Sequence, residues 1–182
     1  MTAISTANLT KRYGDVTALQ GLDLTVESGE VFGFLGPNGA GKSTTINILL
    51  SFLEPTAGTV EVLGTDVSED SEGVRQRMGV LPEDFEPYER LTAREHVSYA
   101  ADLKGVDADA AALLSRTGLD EDAWDRRAGG YSTGMSQRLA LACALVGDPD
   151  LLILDEPSSG LDPAGAKEMR EIVRTEADRG AT

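Results

Sequence analysis

The chain of 182 residues holds one cysteine, Cys143, and one histidine, His96. A single thiol excludes an intramolecular disulfide and a cysteine-based metal site. No uninterrupted apolar run approaches the roughly 20 residues that a helix needs to cross a bilayer. The opening stretch MTAISTANLTKRYG has no basic patch followed by an apolar core, so no secretory signal is read there and a cytosolic setting is the expectation. Basic residues are also scarce: sixteen against thirty-one acidic ones, for a formal charge of −15 and a pI near 4.3. A surface of that sign repels nucleic-acid phosphates and anionic lipid, which argues against non-specific binding to either and for no nucleic-acid partner.

What is present suits one well-packed domain; the length is short for two. The acids are dispersed through SEDSEG, LPEDFEPYER and GLDEDAWD, which reads as solvated surface rather than an acidic tail. Only four of the sixteen basic residues are lysine, and acid excess with few lysines resembles proteins of salt-loving organisms, where concentrated cations screen self-repulsion.

AISTANLT and LDLTVESG alternate and carry β-branched residues, the pattern of half-buried strands. The apolar run EVFGFLG is expected to be a strand that leads into the turn GPNGAGKS. From Lys42, KSTTINILLSFL has helical spacing. GTVEVLG and RMGVLP read as further strands. Between about 86 and 130 the texture becomes helical, with Thr92, Asp107 and Asp120 as expected N-caps and glycines near the helix ends. QRLALACALVGD is a further helix whose apolar face includes Leu139, Ala142, Cys143 and Val146. DLLILDEP is the continuous apolar run of a buried parallel strand. A last helix is expected over roughly Ala164 to Ala177.

Gly36-Pro37-Asn38-Gly39-Ala40-Gly41-Lys42-Ser43 fits G-x-x-x-x-G-K-[ST]. In such a loop the glycines let successive N–H groups curl around a β-phosphate, the lysine reaches the β- and γ-oxygens, and the hydroxyl of Ser43 ligates Mg²⁺. The helix that starts at Lys42 adds the positive end of its dipole. The chemistry then requires a carboxylate at the tip of a buried strand. Asp155 ends LLIL and is the metal partner expected there, and Glu156 follows it, placed to orient an attacking water.

The succession KRYG, GPNGAGKST, YSTGMSQR and LLILDEPSSGLDP resembles the nucleotide-binding subunit of an ATP-binding cassette (ABC) transporter, most closely the exporter-like multidrug (ABC-2) type. The resemblance covers almost the whole chain. It implies an α/β fold: a P-loop NTPase (RecA-like) core with a small antiparallel β subdomain and an inserted α-helical subdomain. Residues 1–83 and 145–182 would form the core and 84–144 the helical part of a single nucleotide-binding domain. Carried over by position, Tyr13 matches the aromatic residue that stacks on adenine, and Gly36 to Thr44 (Gly36, Pro37, Asn38, Gly39, Ala40, Gly41, Lys42, Ser43, Thr44) match the phosphate loop. Asp155 matches the metal-binding aspartate and Glu156 the catalytic glutamate, with Lys42 beside it as a catalytic cation. Asp162 matches the aspartate of the loop that communicates across a dimer. YSTGM matches the signature sequence, usually LSGGQ, through which Ser132 and Gly134 would touch the γ-phosphate held by a second copy. The resemblance therefore implies ATP and Mg²⁺ as cofactors, a head-to-tail pair of cassettes, and a separate transmembrane permease subunit. It also implies peripheral attachment to the cytoplasmic face of the cell membrane, with residues 84 to 104 receiving a short helix of the permease.

Three departures stand out. Tyr131, Thr133 and Met135 replace the usual residues of the signature, and Thr133 should fit if its φ is negative. Glu83 stands where the family has a glutamine; it would still supply an oxygen to Mg²⁺ and take part in catalysis, at the cost of negative charge near the γ-phosphate. The family continues after the last helix with a strand and a switch histidine, whereas the sequence ends at Thr182, so a chain that binds nucleotide and hydrolyses it slowly is expected. His96 is no substitute and reads as a surface helix residue. The competing readings are a soluble ABC protein of DNA repair or translation, which would need a coiled-coil insertion or a second cassette, and a nucleotide sensor without turnover.

The charge balance yields a direct expectation. The melting temperature should rise between dilute buffer and molar KCl; equal stability in both would contradict salt adaptation.

Overall fold

The structure, a computed structural model, describes residues 1–182 and divides into two compact units, Met1–Gln76 with Gly180–Thr182, and Arg77–Arg179.

In the first unit, β1 (Thr2–Tyr13) and β2 (Val16–Glu27) form a long antiparallel hairpin. The turn is made at Gly14, whose φ of 57° is open to glycine at no steric cost. The strands β3 (Ala57–Val62) and β4 (Thr65–Asp66) complete an antiparallel sheet of order β2-β1-β3-β4. Helix α1 (Lys42–Leu49) packs on this sheet, and Leu9, Ile48, Val60 and Val62 form its buried centre. A short helix, α2 (Ser71–Gln76), closes the unit. Strands expected at AISTANLT, LDLTVESG and GTVEVLG are therefore all present. Alternation along β1 is interrupted by a register shift that spans Asn8, which has a positive φ and donates its N–H to Asp23.

One expectation of this unit fails. Residues 31–36 form no strand, and Val31, Phe32 and Leu35 are 57%, 44% and 92% exposed. An apolar run becomes a strand only where neighbouring N–H and C=O groups complete its ladder. Here the four-stranded ladder closes without it, because the chain leaves β2 in a tight turn in which Glu30 N–H donates to Glu27 O at 3.1 Å. Helix α1 is also shorter than KSTTINILLSFL suggests: Ser51 has a positive φ, and Phe52 is turned to solvent.

The second unit is built on two parallel strands, β5 (Met78–Leu81) and β6 (Leu151–Leu154), paired in register from Met78↔Leu151 to Leu81↔Leu154. Against them lie α3 (Ala93–Lys104), α4 (Ala110–Arg116), the single turn α5 (Glu121–Trp124), α6 (Thr133–Ala144) and α7 (Pro163–Asp178). Leu81, Val97, Leu114, Leu139, Leu141 and Val146 are fully buried in its core. Lys104, at the end of α3, donates to Met78 O and Val146 O, both at 2.8 Å, and burial lowers the pKa of its ammonium group. No helix of the chain is long and apolar enough to cross a membrane.

The caps follow the sequence in part. Thr92 and Glu95 form a full capping box on α3, and Gly105 ends that helix in the left-handed region. Asp109, not Asp107, caps α4, because Val106 still bonds back to Ala101 and carries the chain two residues further before the next helix begins. Asp120 precedes α5 without a side-chain cap bond. His96 is buried, 4% exposed, against the surface reading. Its Nε2 accepts from Tyr88 N–H at 2.9 Å, and its Nδ1 lies 2.7 Å from Thr92 O, so the ring bridges the segment before α3 to the helix.

Gly79 sets the closeness of β5 to α6. A Cβ there would fall inside the van der Waals reach of Ala144 O and lie 2.7 Å from the Leu152 side chain. Gly79→Ala should therefore destabilise the protein by about 1–3 kcal/mol, the cost of overpacking. Denaturant unfolding measures it, and an unchanged midpoint would mean that the strand relaxes freely.

Candidate functional site

Three groups of motif residues are positioned within the two units, each by local structure.

The first is the phosphate loop. Gly39 and Gly41 have φ of 82° and 89°, a region that only glycine occupies without strain. At Gly41 even the space is reserved, since a Cβ would meet the Leu19 side chain at 2.5 Å and Ala18 O at 2.7 Å. The loop is thus seated directly on β2. Gly41 is the N-cap of α1 and has no side chain to accept from the first turn, so the first N–H groups of the helix lack a side-chain acceptor. Pro37, Asn38, Gly39, Ala40 and Ser43 are exposed, and Thr44 is half-buried. Lys42 Nζ donates to Gly36 O at 2.8 Å and reaches Pro37 O at 3.5 Å, so its charge lies over the carbonyl side of its own loop. Thr45 pins the start of the helix, donating its hydroxyl to Gly41 O at 2.9 Å. A loop with exposed backbone, no Cβ at Gly36, Gly39 and Gly41, and one ammonium group suits an oxyanion of several charges.

Tyr13 stands on the same sheet. It is 50% exposed at the hairpin end and pairs with Val16, while Lys11, two residues earlier, pairs with Leu19, the residue that abuts Gly41. From Leu19 to Val16 is three residues, about 10 Å along the strand. The hairpin tip and the phosphate loop are thereby held at a separation of nucleotide scale.

The second group is at the carboxyl end of β5 and β6. Asp155 N–H extends the parallel ladder by donating to Leu81 O at 2.8 Å. Glu83 lies in the exposed turn two residues past β5, and Glu156 is exposed one residue past Asp155. Both strand ends thus present carboxylates in the same direction. Glu156 has φ 48°, a left-handed conformation costing about 1–2 kcal/mol for a residue with a Cβ. Such outliers persist where the surrounding structure fixes them, and this one turns the chain sharply out of the sheet.

The third group brings YSTGM and SSGLDP together. Ser132 is the N-cap of α6, its Oγ accepting from Met135 N–H at 3.3 Å. Asp162 is the N-cap of α7, Oδ1 accepting from Gly165 N–H at 2.7 Å. The two helix starts line one open cleft of about 870 Å³ that includes Ser132, Gly134, Gly160 and Asp162. Thr133 is the first residue of α6 and has no positive φ, as its fit requires. Its methyl explains why a glycine faces it: a Cβ on Gly160 would lie 2.9 Å from Thr133 Cγ2. Tyr131 donates its hydroxyl to Ala123 O at 2.6 Å, tying the signature to α5, and burial raises its pKa.

Two residues of this cleft were not singled out from sequence. Arg138 donates to Gly118 O at 2.6 Å and pairs with Glu168 of α7, so it braces the two helices against each other. The signal was the three-residue spacing of Ser132, Met135 and Arg138, which puts them on one helix face.

A glycine-built phosphate loop opening a helix, carboxylates at the tips of parallel strands, and a serine-capped helix start beside a second capped helix define the class as a P-loop NTPase with an inserted helical part. Within that class the assignment is specific. Residues 19–159 match the family described as ABC transporter, and the chain belongs to that family. It is 44% identical, over 99% of its length, to a daunorubicin/doxorubicin resistance ATP-binding protein, DrrA, of Streptomyces peucetius, and covers 56% of that protein. It is 41% identical over 96% of its length to a bacitracin transport ATP-binding protein, BcrA, of Bacillus licheniformis, and covers 57% of it. The chain thus spans a little over half the length of these relatives. Among solved structures it is similar, at 25% identity and a TM-score of 0.85, to a dimeric ATP-binding cassette in a post-hydrolysis state bound to ADP and Pi; 97% of this chain and 83% of that one are covered.

Proposed function

We propose that the chain is the ATP-binding, ATP-hydrolysing part of an exporter-type ABC transporter, working as a head-to-tail pair. The observation that carries the reading is the shared cleft of the two capped helix starts. It displays Ser132, Gly134 and Asp162 together on one open face. A cassette needs that surface only to meet a nucleotide on another copy.

The residues fit the group they would hold. The Cβ-free crevice of Gly36, Gly39 and Gly41, the α1 start and Lys42 would bind the phosphates of ATP, with Tyr13 against the base. Mg²⁺, when bound, supplies charge neutralisation on the phosphate oxygens; Ser43, Asp155 and Glu83 carry the hard oxygen donors suited to it. Glu156 would accept a proton from the attacking water. Ser132, Gly134 and the α6 dipole would face the γ-phosphate of the second copy, with Asp162 beside them. In functional terms residues 1–83 and 145–182 form the nucleotide-handling core and 84–144 the helical signature part of one domain.

The membrane partner would be a separate permease, and the protein would sit peripherally on the cytoplasmic face of the membrane. Supporting this is an apolar ridge on the helical part: Tyr88, Tyr99 and Leu103 are 61%, 45% and 70% exposed, the two tyrosine rings are in edge contact at 6.0 Å, and Tyr88 is anchored by His96. The relatives' names, a drug-resistance and a bacitracin transport protein, are consistent with an exporter.

Ser132→Arg tests the pairing. The variant should bind ATP as a monomer with unchanged affinity and fail to dimerise in its presence, as read by analytical ultracentrifugation. Loss of nucleotide binding by the monomer would contradict the placement of Ser132 at a second copy's site.

A further inference from the structure

Lys11 has no role in the reading above, yet it is held in place. It lies two residues before Tyr13 on β1, so both side chains leave the same face of the strand. Its Nζ donates to Glu54 O at 2.7 Å and lies 5.3 Å from the centroid of the Tyr13 ring. The carbonyl it uses is itself fixed. Pro55 restricts the backbone next to it, Thr56 N–H donates to Thr10 O at 2.8 Å, and Thr56 Oγ1 accepts from Arg12 N–H at 3.0 Å. Residues 54–56 are thus strapped to β1 on both sides of Lys11.

The partners of this ammonium group are a carbonyl and a ring, not a carboxylate, so its charge is not neutralised locally. A cation over one face of an aromatic ring is attracted by the ring's quadrupole and draws its π-density toward that face. The opposite face of this ring, on a tyrosine that is half exposed, is left electron-poor. That face suits an electron-rich purine.

We propose that Lys11 is a positioning residue for base recognition: anchored by Glu54 O, it backs the Tyr13 ring so that nucleobase, tyrosine and ammonium form a three-layer stack. The proposal rests on the reading of Tyr13 as the base platform. It selects for the base and is indifferent to the phosphates, because Lys11 acts through the ring. A cation–π contact at an exposed site corresponds to about a two- to five-fold effect on affinity.

The test compares Mg-ATP with Mg-triphosphate, which has no base, by calorimetry at about 0.5 M KCl, where long-range attraction to the lysine is screened. Lys11→Gln should weaken ATP binding about three-fold and leave triphosphate binding unchanged, while Lys11→Arg, which keeps a cation over the ring, should restore ATP binding. Unchanged ATP affinity in Lys11→Gln, or equal losses for ATP and triphosphate, would overturn the proposal. Tyr13→Ala separates the two levels. If it leaves the preference for ATP over triphosphate intact, Tyr13 is not the base platform, and the reading beneath the proposal falls with it.

Discussion

The backbone N–H groups at a helix start need acceptors, and the chemistry of this protein follows from how unequally its helices find them. At α7 the Asp162 carboxylate accepts at 2.7 Å, a strong charged cap. At α6 the Ser132 hydroxyl accepts at 3.3 Å, a weaker cap that leaves the dipole less compensated. At α1 the N-cap is Gly41, which has no side chain at all. Of these three starts, the one with the charged cap belongs to the SSGLDP loop, and the one without a side-chain cap belongs to the loop that suits a multivalent anion. Filling the α1 start with a serine or aspartate cap is sterically barred, since Leu19 and Ala18 O occupy the space.

The same inequality explains the local departures from the family pattern. Thr133 in place of a glycine costs little, because the position is helical and Gly160 makes room for its methyl. Tyr131 in place of leucine gains a hydrogen bond to α5 that a leucine could not make. Arg138 and Glu168 then lock α6 to α7, so that Ser132 and Asp162 move as one surface. Of the altered positions Tyr131 and Met135 are half-buried and Thr133 is exposed, while the retained Ser132 is exposed.

Much of this was legible from sequence because it is local. Period-two alternation located β1 and β2, the continuous apolar run LLIL located β6, Thr92 ahead of a helical stretch located the start of α3, and QRLALACALVGD and the stretch from about Ala164 located the bodies of α6 and α7. What was not legible depends on distant partners. EVFGFLG has the composition of a strand, but composition cannot say whether a ladder is available to it. His96 is flanked by Arg94, Glu95 and Ser98, and only the return of Tyr88 N–H makes it a buried residue. Asp107 and Asp109 are equally good caps by type; the way α3 ends chooses between them. The phosphate loop, Asp155 and Glu156 were identified by spacing, whereas the backing of Tyr13 by Lys11 needed the position of Glu54 O.

In the proposed pair, one chain carries two complementary half-sites that work only between copies. This claim is tested most directly by mixing two defective chains, Lys42→Ala, which has no working phosphate loop, and Ser132→Arg, which has no working signature. With a non-hydrolysable ATP analogue, neither should associate alone in sedimentation. The mixture should form a dimer, because the loop of one chain and the signature of the other still make one whole site. A mixture that stays monomeric, or either variant dimerising by itself, would contradict the account.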